Sequence, residues 1–535
     1  MRKNRNLGFG TSVLLAVLGA AAFSTAPHGG SSPAIIPANM PRIGTVEERF
    51  QSYNVEMVEV IGGRFWKPYS KQTDATPNVQ PSARQSGANP VGTNAAIFQQ
   101  RPPINLSNPR LRKLAAALGP AYMRVSGTWA NTTYFQDSDA AVGVVPPTGF
   151  GGVLTREEWK GVVDFSRAAN ARIVTSFATS PGTRDASGVW TPTQARRLLA
   201  YTQSLGGSIA AAEFMNEPTF AAMGGAPRGY DAAAYGRDIA VFSAFIKQAA
   251  PQTALLGPGS IGEGGSLLIP MGSGMLKSED LLKATGPVFD IFSYHFYGAV
   301  SQRCAMLGAA GQTTAAAALS EEWLARADNA DTFYAGLRDE FEPGKPLWIT
   351  ETAEAACGGN PWASTFLDTF RYLDQHARLA KRGVQVIMHN TLASSDYGLL
   401  DENTLAPRPN YWAAWLWRKL MGTTVLDPGP SPAPSLHLYA QCLRDRPGGV
   451  ALLVINLDRA ASQSLELAGP AERYTLSAND LLDTTVQLNG RELRLGADDA
   501  MPELAGERTR SGHLTFAPAT ITFLNFPKAG NSVCR

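Results

Sequence analysis

The feature that most limits the fold is a repeating series of short apolar runs. Eight of them fall at residues 55–61, 121–126, 172–178, 209–215, 254–259, 289–294, 347–350 and 384–389. Continuous apolar runs this short are expected for strands covered on both faces. Helical periodicity lies between them at 155–170, 193–205, 232–249, 321–341 and 362–382, with a last run at 411–421 behind Pro407 and Pro409. The clearest helix starts at Thr155, three residues ahead of Glu158, which is the spacing of a capping box. Eight strand–helix repeats predict an α/β fold, a (β/α)8 TIM barrel. The stretch 71–110, rich in Pro, Gln and Asn, reads as a long loop near the face where the strands end.

After Gly422 the texture changes. Residues 427–435 form a Pro/Gly/Ser linker, followed by runs at 436–442, 449–457, 473–476, 485–488, 493–495 and 515–525. These are short and turn-bounded, and predict a C-terminal β-sandwich domain. Before the barrel, Arg2, Lys3 and Arg5 precede an apolar run at 13–23 and the small residues Ser24, Thr25 and Ala26. That order reads as an export signal over 1–26, hence a secreted or periplasmic protein. Residues 27–44 read as a linker, 45–422 as the barrel and 423–535 as the sandwich. The run at 13–23 is too short for a confident membrane span, and no other stretch approaches that length.

Export bears on the four cysteines, Cys304, Cys357, Cys442 and Cys534. Three pairings are open, and spacing suggests Cys304 with Cys357 and Cys442 with Cys534; four free thiols remain the alternative. None has the spacing of a zinc knuckle, and six scattered histidines suggest no metal site. With 47 basic and 45 acidic residues the chain lacks the basic stripe of a nucleic-acid binder.

Two carboxylates carry the chemistry. The fourth run ends in Asn216-Glu217-Pro218, and the seventh is followed at once by Glu351 and Thr352. In a barrel the C-terminal strand ends face the active site, and strands four and seven lie across its mouth. Glycoside hydrolysis uses such a pair, one acid to protonate the leaving oxygen and one carboxylate at the anomeric carbon. Glu217 is then the acid/base and Glu351 the nucleophile. Tyr297, at the end of run six, is placed to donate a hydrogen bond to Glu351. The bland alternatives are a surface carboxylate for Glu217 and a helix-cap neighbour for Glu351. Glu213 reads as a structural group inside strand four, Glu354 as a supporting carboxylate, and His295 as a packing or hydrogen-bonding residue. Trp66, Trp129 and Trp190 are sugar-stacking platforms or core.

These residues resemble clan A retaining glycosidases, and within them glycoside hydrolase family 79, the β-glucuronidase/heparanase family. The resemblance runs from about Tyr53 into the sandwich. It rests on Asn54 to Met57, Arg124 to Thr128, Phe214 to Pro218, Trp348 to Thr352 with Gly358-Gly359, Asp396 to Asn403, Asn410 to Trp412 and Lys419 to Gly422. It implies a barrel plus sandwich, with residues near 45–53 able to join the sandwich, and it supports a Cys442–Cys534 disulfide. It implies that Asn216 contacts the sugar 2-hydroxyl and that Glu56 and Thr128 hold distal hydroxyls. It implies that Tyr397 and the backbone N–H groups of Gly358 and Gly359 read the uronate carboxylate; a phenol and backbone donors can bind an anion without needing a neighbouring Arg. The register of the glycine pair is open by about one residue.

The reading is a retaining β-glucuronidase without cofactor, acting on glucuronic-acid-containing oligosaccharides or glycoconjugates. The basic clusters typical of heparanases are not evident, which favours exo action over an endo-acting, heparanase-like enzyme. Another clan A β-glycosidase, or a non-catalytic carbohydrate-binding protein, are the rivals.

Overall fold

The computed structural model describes residues 34–69, 95–141, 145–265, 275–307 and 311–535. The stretch read as an export signal lies outside them, as does most of the loop expected at 71–110.

Eight parallel strands close into a barrel. They are β1 (Gln51–Asn54), β2 (Ala121–Val125), β3 (Ala171–Ser176), β4 (Ile209–Glu213), β5 (Ala254–Ser260), β6 (Ile291–Tyr297), β7 (Leu347–Ala353) and β8 (Val386–His389). Seven occur where the apolar runs predict them. The first does not. Residues 55–61, expected as a strand, instead follow β1 and wind into the helix Met57–Ile61. Glu56 starts that turn, with its N–H donated to Glu59 Oε2 at 2.7 Å, a local bond that competes with a strand ladder. The strand itself is the polar but fully buried Gln-Ser-Tyr-Asn, which carries no apolar signature.

The lower barrel is filled by Tyr122, Val174, Ala211, Leu256, Ile291, Trp348, Val386 and Met388. Above this apolar plug the filling turns polar, with Arg124, Glu213 and His295 all fully buried. The barrel is therefore a packed floor beneath a polar mouth.

The helices form as predicted in outline. Thr155 caps Arg156–Ala168 through the Glu158 N–H, and Glu158 caps back. The helix expected at 321–341 is two, Glu321–Leu324 and Arg326–Phe341. Two helices, Pro109–Leu118 and Ser278–Thr285, had no counterpart in the sequence reading. Within the loop expected at 71–110, Phe98–Arg101 pairs with Gly63–Trp66 as a hairpin.

Beyond the barrel an antiparallel sheet runs in the order Arg42–Thr45, Met421–Leu426, Leu436–Leu443, Val450–Asn456, Thr520–Phe526 and Ala471–Ser477, with short strands at its end. A two-stranded sheet, Gln463–Leu467 with Gly512–Phe516, packs over it. Val450, Leu452 and Val454 face that small sheet. Ala451, Leu453 and Ile455 join the core shared with the barrel. Burial on both faces explains the unbroken apolar run there. Arg42–Thr45 lies in the segment read as a linker, and its mostly exposed edge position explains the weak signal. Both disulfides form, Cys304–Cys357 and Cys442–Cys534.

Candidate active site

The strands deliver the expected carboxylates to one place. Glu217 follows β4 in a left-handed conformation, φ +48°, before the short 3-10 turn Pro218–Phe220. A non-glycine residue held there marks a constrained backbone, a frequent feature of functional sites. Glu351 sits in β7 at a register shift. Ile349 pairs with Tyr294, but Glu351 pairs with His295, so one residue is extra in β7. A bulge of this kind re-aims a side chain. An oxygen of Glu217, an oxygen of Glu351 and a nitrogen of His295 lie within 4.8 Å of one another.

The two carboxylates have different partners. Glu351 Oε2 accepts from Arg124 Nη1 at 2.9 Å, and Oε1 from the Tyr297 hydroxyl at 2.6 Å. Glu217 has no cation in contact among the described residues. Its Oε1 lies 3.1 Å from His295 Nδ1, and burial above all pushes its carboxyl up to about 7, against the pull of Arg124. Burial lowers His295 to about 4, so its ring is neutral at pH 7. Its Nε2 faces Arg124 Nη2 at 3.3 Å, and a guanidinium only donates. Nε2 therefore accepts, and the proton sits on Nδ1, directed at Glu217.

The same assignment bears on metal binding. Glu217, His295 and Glu351 are grouped closely enough to ligate a cation. His295 Nδ1 carries a proton, however, and Arg124 already supplies positive charge to Glu351. The donor set suits a proton-handling pair better than a metal.

Arg124 was missed as a site residue, although a charged side chain in an apolar strand was a visible signal. It is 1% exposed and also binds Glu213 Oε2 at 2.8 Å and Asn216 Oδ1 at 2.8 Å. Glu213 is thus the structural group expected. Asn216 reaches Thr128 Oγ1 at 3.5 Å. Glu56 is buried beside them, with Oε2 lacking a hydrogen-bond partner, and burial together with Glu351 raises its carboxyl well above the usual range.

Asn390, after β8, also went unrecognised. Its Nδ2 donates to the hydroxyls of Tyr297 at 3.0 Å and Tyr397 at 3.1 Å. The Tyr397 hydroxyl is thereby left with its own proton to donate. Gly358 and Gly359 both lie at φ +83°, and a Cβ on Gly359 would come within 3.2 Å of Tyr397 Cβ. The Gly359 N–H is engaged by Ala355 O at 3.2 Å, whereas that of Gly358 has no partner among the described residues. An arginine also neighbours this pair. Arg303 donates to Cys357 O at 2.6 Å and Gly359 O at 3.1 Å, and pairs with Asp396 at 2.5 Å. The signal for it was its position beside Cys304, whose partner Cys357 precedes the glycines.

Other candidates divide. Trp190 is core, packed on Phe214 and Phe242. Trp129 is buried against Phe65 and Trp66. Trp66 is partly exposed, stacks on Phe98 at 4.7 Å and borders Gly358. Glu354 accepts from the Asn360 N–H and side chain, and burial raises it to about 7.

A (β/α)8 barrel with paired carboxylates on strands four and seven, backed by a buried arginine, defines a glycoside hydrolase. The comparisons narrow the class. The family model "Glycosyl hydrolase family 79, N-terminal domain" matches residues 103–377, about half the chain, and the chain belongs to glycoside hydrolase family 79. Among its relatives are the Heparanase-like protein 1 of Arabidopsis thaliana (24% identical, covering 81% of this chain and 86% of that one) and the Heparanase of Rattus norvegicus (28%, covering 73% and 80%). The Hyaluronoglucuronidase of Hirudo nipponia is 25% identical, covering 81% and 92%. Among solved structures, a 4-O-α-L-rhamnosyl-β-D-glucuronidase from Fusarium oxysporum shares the fold at TM-score 0.59 and 14% identity, covering 92% of this chain and 99% of that one.

Proposed function

We propose that the chain is a retaining exo-β-glucuronidase, with Glu217 as acid/base and Glu351 as nucleophile. The observation that carries this is the asymmetry of two adjacent carboxylates. Glu351 is held by a guanidinium and a phenol. Among the described residues Glu217 meets only a neutral imidazole and is raised to about 7, so much of it carries a proton at neutral pH. Their approach within 4.8 Å favours retention, for which the carboxyl groups stand about 5–5.5 Å apart, over inversion at about 6.5–9.5 Å.

In the first step Glu351 attacks the anomeric carbon, the glycosidic C–O bond breaks, and Glu217 gives its proton to the departing oxygen. In the second, Glu217 takes a proton from water, whose oxygen attacks the anomeric carbon and releases Glu351. Arg124 and Tyr297 hold the nucleophile in line. Asn216 is placed for the 2-hydroxyl, and the unpartnered Glu56 Oε2 with Thr128 for the distal hydroxyls.

The free Tyr397 O–H and Gly358 N–H are the donors we assign to the uronate carboxylate. Gly359 serves by allowing close approach of the Tyr397 loop. Arg303, paired with Asp396, braces this pocket. Relatives named Hyaluronoglucuronidase and Baicalin-β-D-glucuronidase support a glucuronic-acid-containing glycan or glycoconjugate as substrate. Two disulfides support an oxidising, secreted or periplasmic location.

The test compares the para-nitrophenyl β-glucuronide and β-glucoside. We expect the glucuronide to be hydrolysed at least about 10-fold faster in kcat/KM, the effect of one or two charged hydrogen bonds. Equal rates, or faster glucoside hydrolysis, would replace this reading with a neutral-sugar β-glycosidase. Internal cleavage of hyaluronan or heparan oligomers would make the enzyme endo-acting.

A further inference from the structure

The left-handed turn that presents Glu217 needs something to hold it, and one side chain outside the proposed machinery does so. Asn131 lies in the 3-10 turn Thr128–Thr132 after β2 and is fully buried. Its Oδ1 accepts the Asn216 N–H at 2.8 Å, and its Nδ2 donates to the Asn216 carbonyl at 3.0 Å. Only this orientation of the amide satisfies both groups. Both backbone polar groups of the residue before Glu217 are thus fixed by one planar group. The Asn131 carbonyl accepts the N–H groups of Thr179 at 2.8 Å and Ser180 at 3.1 Å, tying in the loop after β3. The backbone of Gly224 packs close to the amide, since a Cβ there would lie 2.7 Å from Nδ2.

We infer that Asn131 is a positioning residue for the acid/base: it locks the peptide ahead of Glu217 so that the carboxyl meets the departing glycosidic oxygen. This rests on the reading of Glu217 as the acid. It makes a specific prediction, because proton donation matters in proportion to how poorly the aglycone leaves. A dinitrophenolate departs with little help as its C–O bond breaks, whereas a phenolate needs the proton.

The test uses the full chain carrying Asn131→Ala or the near-isosteric Asn131→Asp, which keeps the acceptor and loses the donor. Each is assayed on phenyl and dinitrophenyl β-glucuronide beside Glu217→Gln. We expect both Asn131 variants to lose about 100-fold in kcat/KM on the phenyl substrate, as for an ångström-scale misplacement. The loss in kcat/KM on the dinitrophenyl substrate should be less than about 10-fold, because kcat/KM reads the acid-assisted first step alone; kcat and KM there should fall together as water attack, which uses Glu217 as base, becomes limiting. Should Asn131→Ala not fold, Asn131→Asp carries the comparison. Equal losses on both substrates, or rates like the unaltered enzyme, overturn the inference while Glu217→Gln retains its leaving-group dependence. If Glu217→Gln itself lost equally on both, the assignment of Glu217 as acid would fall first.

Discussion

Glu217 and Glu351 are the same residue type in two surroundings, and the difference is made by a few atoms. Arg124 reaches Glu351 directly but Glu217 only across the site. His295 is buried and held near 4, so it brings a dipole rather than a charge. A pH dependence follows. In the proposed mechanism turnover needs Glu217 protonated, and its folded value is raised to about 7. Activity should therefore fall as pH rises through about 7. Glu217→Gln should abolish that limb while lowering kcat on a poor leaving group by about 10²–10⁴-fold. A kcat/KM profile from pH 5 to 9 checks both; an unchanged limb in the variant would assign the ionisation to another group. At this scale the sequence revealed the actors better than the stage. Two Glu residues at strand ends and a Tyr on the adjoining strand were legible because position along a barrel strand predicts where a side chain emerges. Arg124, Asn131, Asn390 and Arg303 were not singled out, because each acts through contacts with residues far along the chain, such as Glu351 for Arg124, Asn216 for Asn131, Tyr297 for Asn390 and Asp396 for Arg303.

Elements decide where those side chains can stand. The extra residue in β7 turns Glu351 toward the mouth, and nothing in Leu-Trp-Ile-Thr-Glu-Thr announces a bulge. Seven strands were legible because burial on both faces demands apolar runs. β1 escaped because Gln51, Ser52 and Asn54 are buried through hydrogen bonds instead, such as Gln51 Nε2 to Ala414 O at 3.0 Å and Asn54 Nδ2 to Thr350 O at 3.1 Å. The turn after β2 makes a sharper demand. Gly127 lies at φ +89°, and a Cβ there would fall 1.4 Å from Glu56 Oε2. Both the backbone and the space require glycine. Gly127→Ala should displace Glu56 and the Thr128 turn, lowering kcat/KM on the aryl glucuronide by about 100-fold or more. Thermal unfolding measured alongside should show a cooperative, moderately destabilised protein, as for about 1–3 kcal/mol of local strain. Near-normal activity would mean that Glu56 is not needed where it stands.

At the scale of the whole molecule, the buried ionisable groups set a pH window for stability. Burial raises Glu59, Glu217 and Glu354 to about 7 from 4.5. Burial lowers His295 to about 4, and His376 and His389 to about 3, from 6.5. For the three acids the folded state binds protons more tightly than the unfolded chain, so stability is lost as pH rises from 4.5 through 7. For the three histidines the unfolded chain binds protons more tightly, so stability is lost as pH falls below 6.5. Between 4.5 and 6.5 these two sets oppose each other, three protons against three, but Glu56, also raised well above its usual range, adds a further acid, so stability falls gently as pH rises. Above 6.5 only the acids still act. His437 adds to their effect, because Asp374, 2.6 Å away, raises it, and a raised histidine also loses its contribution as pH rises. That pair joins the strand Leu436–Leu443 of the outer sheet to the helix Phe366–Lys381 of the barrel, so the loss extends to the contact between the two layers. The expected result is a melting temperature that falls gently from about pH 4.5 to 6.5, falls more steeply above that, and also declines below pH 4.5. Calorimetric scans across pH 4 to 9 measure this directly. Glu354→Gln, which leaves both proposed catalytic carboxylates in place, should reduce the decline above pH 6.5 by removing one of its acids. A melting temperature still rising from pH 6.5 to 8 would mean that these carboxyls are not held protonated in the folded chain.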